Sequence, residues 1–295
     1  MKKTFRTFFA SLLTLLPLAS QAAPLAIATR DIQLNGYNLF IDSFSSRDPL
    51  RSTGGQYDAL KGGGDASIIG TEAGLHNANN VANVELFGRL RTALPFVLEI
   101  GVESSIGSAA WHQSGQTGIE PGFLTNDFAF IYPDVQPPFG GVVPTSGTYN
   151  GVFYTYLLSS GAYDLPSLTL SGGQSMLVTG SATLHVRGNV NLSGNGSIVV
   201  LPSANLQLFV GGKANLRGNG IVNLGTPQSF TYLGMGSSST LDLRVTTPFV
   251  GLIYAPTSVC TILSSGNASA NLQGAIVAGT IVLTAPVDFH FDEGL

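Results

Sequence analysis

The sequence predicts an all-β protein, a right-handed parallel β-helix (solenoid) with coils of roughly 22–24 residues. Three observations predict this fold class. Short runs in which apolar and polar residues alternate are bounded by Gly, Asn or Ser, and helix signals are nearly absent beyond the first residues. Charged residues make up 10% of the chain, against about 25% in an ordinary soluble domain. A short motif also repeats at a spacing close to one coil.

Residues 1–22 have the three parts of a cleavable secretory signal peptide. Basic residues precede the apolar run Phe8–Leu18, and the small residues Ser20 and Ala22 occupy the positions that a signal peptidase recognises. The apolar run is shorter than the roughly 20 residues that a membrane span needs. We therefore expect a secreted protein, extracellular or at the cell surface with the periplasm as an alternative, and no membrane span after cleavage.

The single cysteine, Cys260, lies in an apolar alternation and offers no disulfide partner. An exported domain that depends on disulfides normally carries cysteines in pairs. We interpret Cys260 as a small core residue, so the core and the backbone ladders must provide the stability.

The strands follow from the alternating runs and their glycine- and asparagine-rich boundaries. In the first part of the chain the pattern predicts strands at Ile32–Leu34, Leu39–Asp42, Ala66–Ile69, Val84–Leu90 and Val97–Val102. In the second part the predicted strands follow more closely, at Leu168–Leu170, Met176–Val178, Thr183–Val186, Ile198–Leu201, Leu206–Val210 and Ile221–Leu224. The last predicted strands are Leu241–Val245, Val250–Ala255, Thr261–Leu263, Ala275–Val277, Thr280–Leu283 and Val287–Phe291.

An internal repeat supports stacked coils. The sequence Asn-Leu-Ser-Gly-Asn-Gly at 191–196 recurs as Asn-Leu-Arg-Gly-Asn-Gly at 215–220, an offset of 24 residues, and Gly266-Asn267 falls two further periods on. Coincidence in a chain rich in Gly and Asn is the alternative. If the repeat marks coils, Asn195 and Asn219 stack at equivalent corners, where their side-chain amides can bond from coil to coil.

The middle of the chain breaks the repeat and sets the predicted domain boundaries. We expect N-terminal β coils at 23–107, a connecting segment rich in Pro and aromatic residues at 108–150, and a C-terminal β-helix at 151–295. The connecting segment is expected to pack along the outside of the coils through its aromatic residues, Trp111, Phe123, Phe128, Phe130 and Phe139. The alternative is a carbohydrate-stacking surface, for which Trp111, Phe128 and Tyr132 are the candidate ligand-binding residues.

The C-terminal strand alternates apolar and ionisable residues. Val287, Phe289 and Phe291 fall on one face, and the other face carries Asp288, His290 and Asp292, followed by Glu293. This second set is interpreted as a charged cap that blocks end-to-end strand addition, with an ion site or acid–base chemistry as the alternative.

Four stretches carry a family resemblance. Phe-His-Phe-Asp-Glu-Gly-Leu at 289–295 resembles the terminal FHYDEAL-type motif of a family of uncharacterised bacterial secreted β-helix proteins, although Phe291 and Gly294 replace its usual Tyr and Ala. The stretch at 41–49 is similar to that family's DSFDSSDP segment, and 252–256 and 274–279 are similar to its YAP and GAIV elements. The family has no established activity. The resemblance implies export and this fold, and some relatives are linked with type IV pilus assembly proteins.

The sequence gives little support for a metal site, another cofactor or nucleic-acid binding. Asp42 and Asp48 flank a loop that lacks the further oxygen ligands calcium requires, and the four histidines show no metal-ligand spacing. We therefore expect no metal or other cofactor. A net charge of -4 gives no basic footprint for nucleic acid.

These observations favour a non-enzymatic extracellular structural or surface-interaction protein, acting in adhesion, in a matrix or in association with pili. Its partners would be components of the cell surface, pili or glycans. The alternative is a carbohydrate-binding or polysaccharide-cleaving β-helix, whose glycosidase form needs two carboxylates facing one groove.

Overall fold

A computed structural model describes residues 25–138, 140–264 and 268–295. The chain is all-β: about half of it is strand and almost none is helix. The predicted signal peptide, Phe139 and the Gly266-Asn267 match lie outside the described residues.

The strands extend from residue 27 to residue 292. The first nine are β1 (Ile27–Gln33), β2 (Leu39–Phe44), β3 (Ser67–Thr71), β4 (Gly74–His76), β5 (Val84–Thr92), β6 (Val97–Leu98), β7 (Ser105–Gly107), β8 (Gly118–Ile119) and β9 (Leu124–Thr125). The next nine are β10 (Gly147–Tyr149), β11 (Val152–Tyr154), β12 (Tyr156–Leu158), β13 (Gly161–Leu165), β14 (Leu168–Leu170), β15 (Ser175–Val178), β16 (Ser181–Val186), β17 (Val190–Leu192) and β18 (Ser197–Val200). The last eight are β19 (Asn205–Val210), β20 (Ala214–Leu216), β21 (Gly220–Asn223), β22 (Phe230–Gly234), β23 (Thr240–Val245), β24 (Phe249–Ser264), β25 (Ala270–Leu283) and β26 (Val287–Asp292).

Helical structure is limited to short pieces. The described residues contain the α-helix α1 (Ala109–Gln113) and 3-10 turns at Ala59–Lys61, Ala78–Asn80 and Pro227–Ser229. No helix in the described part of the chain has the length and apolar character to cross a membrane. Every strand predicted from the sequence overlaps an observed one.

Successive strands stack in parallel, about one repeat apart. Leu168 of β14 pairs with Val190 of β17, and Val190 pairs with Ala214 of β20, at separations of 22 and 24 residues. The repeat leucines Leu192 and Leu216 point inward and are fully buried. We call this succession of parallel strands the stack, and each pass of the chain through it a layer. The arrangement is consistent with a β-solenoid.

The N-terminal strands continue the stack from its C-terminal end. β1 pairs in parallel with β25, and β2 pairs in parallel with β26. β3 and β5 follow on β1 and β2, so six strands (β2, β26, β25, β1, β3 and β5) form a closed ring of pairings. One hydrophobic core runs through both parts of the chain. The spatial order of the layers therefore differs from their order in the sequence.

The segment at 128–138 and 140–142, which we call the strap, runs back along the outside of the stack. Phe128 and Phe130 form an apolar cluster with Ala28, Tyr132 packs near Tyr254, and Val142 pairs with Tyr163 of an early layer. Tyr254, Val277, Ala28 and Gly70 lie in one outward row across four layers. The two small residues of this row, Ala28 and Gly70, leave room for the Phe128 and Phe130 rings.

Gly70 is the position where the strap approaches the stack most closely. A Cβ atom there meets the Phe128 ring, with Cε2 only 2.2 Å away. We expect Gly70→Ala to displace the ring and to lower the free energy of unfolding by about 1–3 kcal/mol, measured by denaturant titration. Gly173→Ala is the matched control because a Cβ atom there meets nothing within 4 Å. Equal effects of the two substitutions would contradict this account of the strap.

Candidate functional site

The C-terminal strand lies inside the stack, and the expectation of a terminal cap is corrected. β26 pairs with β25 on one side and with β2 on the other, where Val287 meets Ala270 and Leu39. Its backbone groups are taken up on both edges by parallel neighbours, so no free edge remains to be blocked. Asp288, His290, Asp292 and Glu293 therefore lie where the two ends of the chain meet, which we call the joint.

The alternation predicted for β26 holds in the structure. Val287, Phe289 and Phe291 belong to the hydrophobic core. On the opposite face Asp288 is half-buried, whereas His290 and Asp292 are buried, with 4% and 0% exposure. Residues 45–64, which we call the covering loop, lie over these side chains and bury them.

His290 is held on all sides by polar and aromatic groups. Its Nδ1–H donates to Asp42 Oδ1 at 2.5 Å, and its Nε2 accepts from Asn271 Nδ2 at 3.0 Å. Gln273 Nε2 donates to Asn271 Oδ1 at 3.4 Å, which orients the Asn271 amide. Tyr57 of the covering loop stacks on the imidazole, with ring centroids 3.5 Å apart and planes 9° apart. Both ring nitrogens are therefore engaged within the protein.

Tyr57 ties the covering loop to the same pair. Its hydroxyl donates to Asp42 Oδ2 at 2.9 Å, and its backbone N–H donates to Gln273 Oε1 at 2.9 Å. Burial, reinforced by the charge of Asp42, raises the pKa of the Tyr57 phenol well above its ordinary value. The phenol therefore stays protonated and keeps donating to Asp42.

Asp292 and Glu293 bind the start of the covering loop. Asp292 Oδ1 accepts from the backbone N–H groups of Ser46 and Gly294, at 2.8 and 2.9 Å. Glu293 accepts two hydrogen bonds from the Arg51 guanidinium and one from Ser43 Oγ, all at 2.6 Å. Burial opposes ionisation of Glu293, but the bonds from Arg51 and Ser43 outweigh it and hold the pKa of the carboxyl below its ordinary value.

The glycine run at 62–64 brings the loop backbone against these side chains. A Cβ atom on Gly63 would lie 2.0 Å from Asp42 Oδ2, and one on Gly64 would lie 2.2 Å from an Arg51 Nη. Gly64 also exchanges two backbone hydrogen bonds with Ser43. Gly63 in particular has no room for a side chain, because a Cβ atom there would also meet Cγ and Cβ of Asp42.

The Asp42–His290 pair of the joint has no free ring nitrogen that could face a substrate. An Asp–His pair can serve as an acid–base unit, but that requires a free ring nitrogen facing a substrate. Asn271 occupies Nε2 and Tyr57 covers the ring. Asp48 does not join Asp42, because its Oδ1 accepts from the backbone of Leu50. Within the described ranges, no three His, Cys, Asp or Glu side chains are grouped to hold a metal ion.

The three aromatic candidates do not form one platform. Phe128 is buried against the stack, and Tyr132 is half-buried between Phe130 and Tyr254. Burial raises the pKa of Tyr132 to about 12. Trp111 lies apart from them on α1, half-buried, and its indole Nε1 is buried with no hydrogen-bond partner among the described residues.

Asn195 and Asn219 lie on adjacent layers, but the hydrogen bond between them is not the predicted bond between side-chain amides. Asn219 Nδ2 donates to the backbone oxygen of Asn195 at 3.3 Å rather than to its amide. The amide-to-amide bond joins Asn215 and Asn191 at 3.1 Å, four residues earlier in each repeat and within strands β20 and β17. Cys260 is fully buried, and burial raises the pKa of its thiol to about 12, which makes it inert.

Sequence reasoning missed the partners that hold the joint. Arg51, Tyr57, Asn271 and Gln273 carry no local signal for their roles. A signal did exist in the resemblance, because its segments at 41–49 and 289–295 are those that meet here. Asp42, Ser43 and Ser46 of the first segment contact His290, Glu293 and Asp292 of the second.

The stack and the joint define a class of protein: an all-β chain of mostly parallel strands whose two ends close on each other through a buried polar cluster. The chain belongs to the family described as a domain of unknown function (DUF7305), whose family model matches residues 145–295, slightly more than half of the sequence. No curated protein matches the chain. No solved structure matches it either.

Substitution of Asp292 distinguishes a role within the joint from a role as a terminal cap. Asp292→Ala removes the acceptor for two backbone N–H groups, and we expect a loss of about 2 kcal/mol in the free energy of unfolding with no change in oligomeric state. Asp292→Asn keeps an oxygen acceptor and should stay closer to the native stability. Thermal unfolding and light scattering check this pair. Association of the alanine variant without loss of stability would restore the cap interpretation.

The lowered pKa of Glu293 predicts that the contribution of this residue to the free energy of unfolding decreases in acid. Because its pKa is lowered on folding, its contribution is complete above the ordinary value of 4.5 and disappears as the pH falls through the lower folded pKa. We expect Glu293→Gln to be less stable than the native protein at pH about 6 and to approach it at pH about 3. Melting temperatures across this range measure the effect. The exposed acid Glu103 supplies the control Glu103→Gln, whose difference from native should be small throughout.

Proposed function

We propose that this protein is a non-enzymatic extracellular structural or surface-interaction protein, built as a right-handed parallel β-helix with coils of roughly 22–24 residues. It would be exported by the signal peptide at 1–22 and act at the cell surface. One observation carries the proposal. The ionisable residues that looked most capable of chemistry, Asp42, His290, Asp292 and Glu293, are engaged in holding the two chain ends together.

The outward rows of the stack support a surface role. Thr169, Asn191, Asn215, Asp242 and Thr261 lie in register on five successive layers. Such a row presents hydroxyl and amide groups at the spacing of adjacent strands, about 4.8 Å. A polar face of this kind suits contact with another extended polymer or with a surface.

The alternative of a carbohydrate-binding or polysaccharide-cleaving protein had rested on the aromatic middle segment. Two of its aromatic rings, Phe128 and Phe130, are buried against Ala28. They supply packing for the strap instead of a stacking surface. The aromatic segment therefore does not favour this alternative over the structural function.

Deletion of the gene tests the proposal in the cell. We expect reduced surface attachment or altered pili, because some relatives of the resembling family are linked with pilus assembly. Restoration should follow from the full chain and fail for a chain that lacks residues 1–22, which is the matched control for export. Unchanged attachment together with unchanged pili would count against the proposal.

A screen of the purified protein tests the enzymatic alternative. We expect no release of reducing sugar from a panel of polysaccharides, since the Asp42–His290 pair has no access to a substrate. Asn271→Ala frees His290 Nε2 and serves as the comparison. Turnover by the native protein that Asp42→Asn abolishes while the melting temperature is kept would overturn the non-enzymatic function.

A further inference from the structure

Basic residues of the C-terminal part concentrate on one outer face. From residue 166 to the end the chain has four, Arg187, Lys213, Arg217 and Arg244. Arg187 is paired with Asp164. The other three lie on the layers of β20 and β23, in outward positions of the alternation: Lys213 and Arg217 flank β20, and Arg244 lies within β23. In a chain of net charge -4 this is a local excess of positive charge.

Two of these arginines occupy equivalent positions on adjacent layers. Leu216 pairs with Leu243, so the next residues, Arg217 and Arg244, follow side by side. Like charges on neighbouring strands repel each other. Asp242 neutralises Arg217 at 3.3 Å. Among the described residues, no carboxylate lies within ion-pair distance of Arg244. The pair therefore has one uncompensated positive charge.

Arg217 and Arg244 are among the residues that line an open depression with a volume of about 460 Å³. Its lining also contains Ser193, Asn219 and Thr246. Thr246 Oγ1 donates to the Gly218 carbonyl at 3.1 Å, and Asn219 donates to the preceding layer, so hydrogen bonds between layers fix the floor. The Nε atoms of both arginines are buried and have no acceptor among the described residues. The depression thus combines hydrogen-bonded walls with the uncompensated positive charge of Arg244.

We infer that this depression binds an oxyanion carried by an acidic polysaccharide, a carboxylate or a sulfate held between Arg217 and Arg244. A guanidinium presents a planar fork of donors that matches both groups. The adjacent row of Thr169, Asn191 and Asn215 continues from the site along the stack, and the exposed Thr169 hydroxyl offers a partner for a sugar hydroxyl. This inference names the ligand of the surface function proposed above and rests on it.

Affinity electrophoresis of the purified protein tests the site. The gels contain dextran sulfate, polygalacturonate or neutral dextran, which separates sulfate and carboxylate from the sugar backbone. We expect retardation by at least one acidic polymer, none by neutral dextran, and weakening with added salt. Retardation by dextran sulfate assigns a sulfate, and retardation by polygalacturonate assigns a carboxylate.

Variants locate the binding. Arg217→Gln/Arg244→Gln should weaken the dissociation constant for the retarding polymer at least about tenfold, whereas Arg187→Gln on another face should leave it unchanged. Arg244→Lys keeps the charge and loses the fork, so its affinity should fall in between. Melting temperatures establish that each variant is folded, and Arg244→Gln alone replaces the double variant if that one unfolds.

Three outcomes overturn the inference. They are absence of retardation of the native protein by both acidic polymers, an unchanged dissociation constant in the double variant, and an equal loss with Arg187→Gln. The surface function is tested separately in the deletion strain. If the double variant restores attachment there, the surface function stands and this site is excluded as its basis.

Discussion

Parallel pairing of the N-terminal strands with the C-terminal strands is the constraint on which the rest of the structure depends. β25 and β26 would otherwise end the stack with a row of unpaired backbone N–H and C=O groups, the usual template for association between chains. β1 and β2 satisfy that row from within the same chain. The paired side chains Asp42 and His290 are 248 residues apart in sequence. The joint therefore closes a long loop, and the entropic cost of this closure rises only slowly with loop length.

Hydrophobic alternation cannot set the register of this pairing by itself. A slip of two residues leaves Val287, Phe289 and Phe291 on the core face, because the side-chain period in a strand is two. The polar contacts are specific to one register. The observed register pairs Asp42 with His290 and lets the Ser43 hydroxyl donate to Glu293. A buried polar pair costs desolvation whichever register forms, and the satisfied pair is recovered in one of them. The polar contacts of the joint thus select one register, and the covering loop lies over them.

The sequence predicted what local periodicity determines. The strands, the inward leucines Leu192 and Leu216 and the two faces of β26 all follow from spacing along the chain. It did not predict which strand lies next to β26, since the neighbour of a parallel strand is decided by contacts between distant residues. Local spacing therefore indicates His290 as a candidate without indicating its partner, and it gives no sign of Tyr57 or Gln273. The family model begins at residue 145, whereas Asp42, Arg51 and Tyr57 lie before it, so the matched domain contains only half of the joint.

The contrast between the joint and the arginine face indicates where this molecule has capacity to bind. At the joint, both ring nitrogens of His290 and both carboxylate oxygens of Asp42 already have partners inside the protein. A ligand arriving there would have to displace bonds of equal quality and remove Tyr57 from the ring. At Arg217 and Arg244 the balance is reversed, because buried donors lack acceptors and one positive charge lacks a partner. An incoming oxyanion would gain hydrogen bonds from Arg244, and at Arg217 it would share the guanidinium with Asp242. The buried Asp42–His290 pair therefore stabilises the fold through its internal hydrogen bonds, and recognition is favoured at Arg244, whose positive charge has no partner among the described residues.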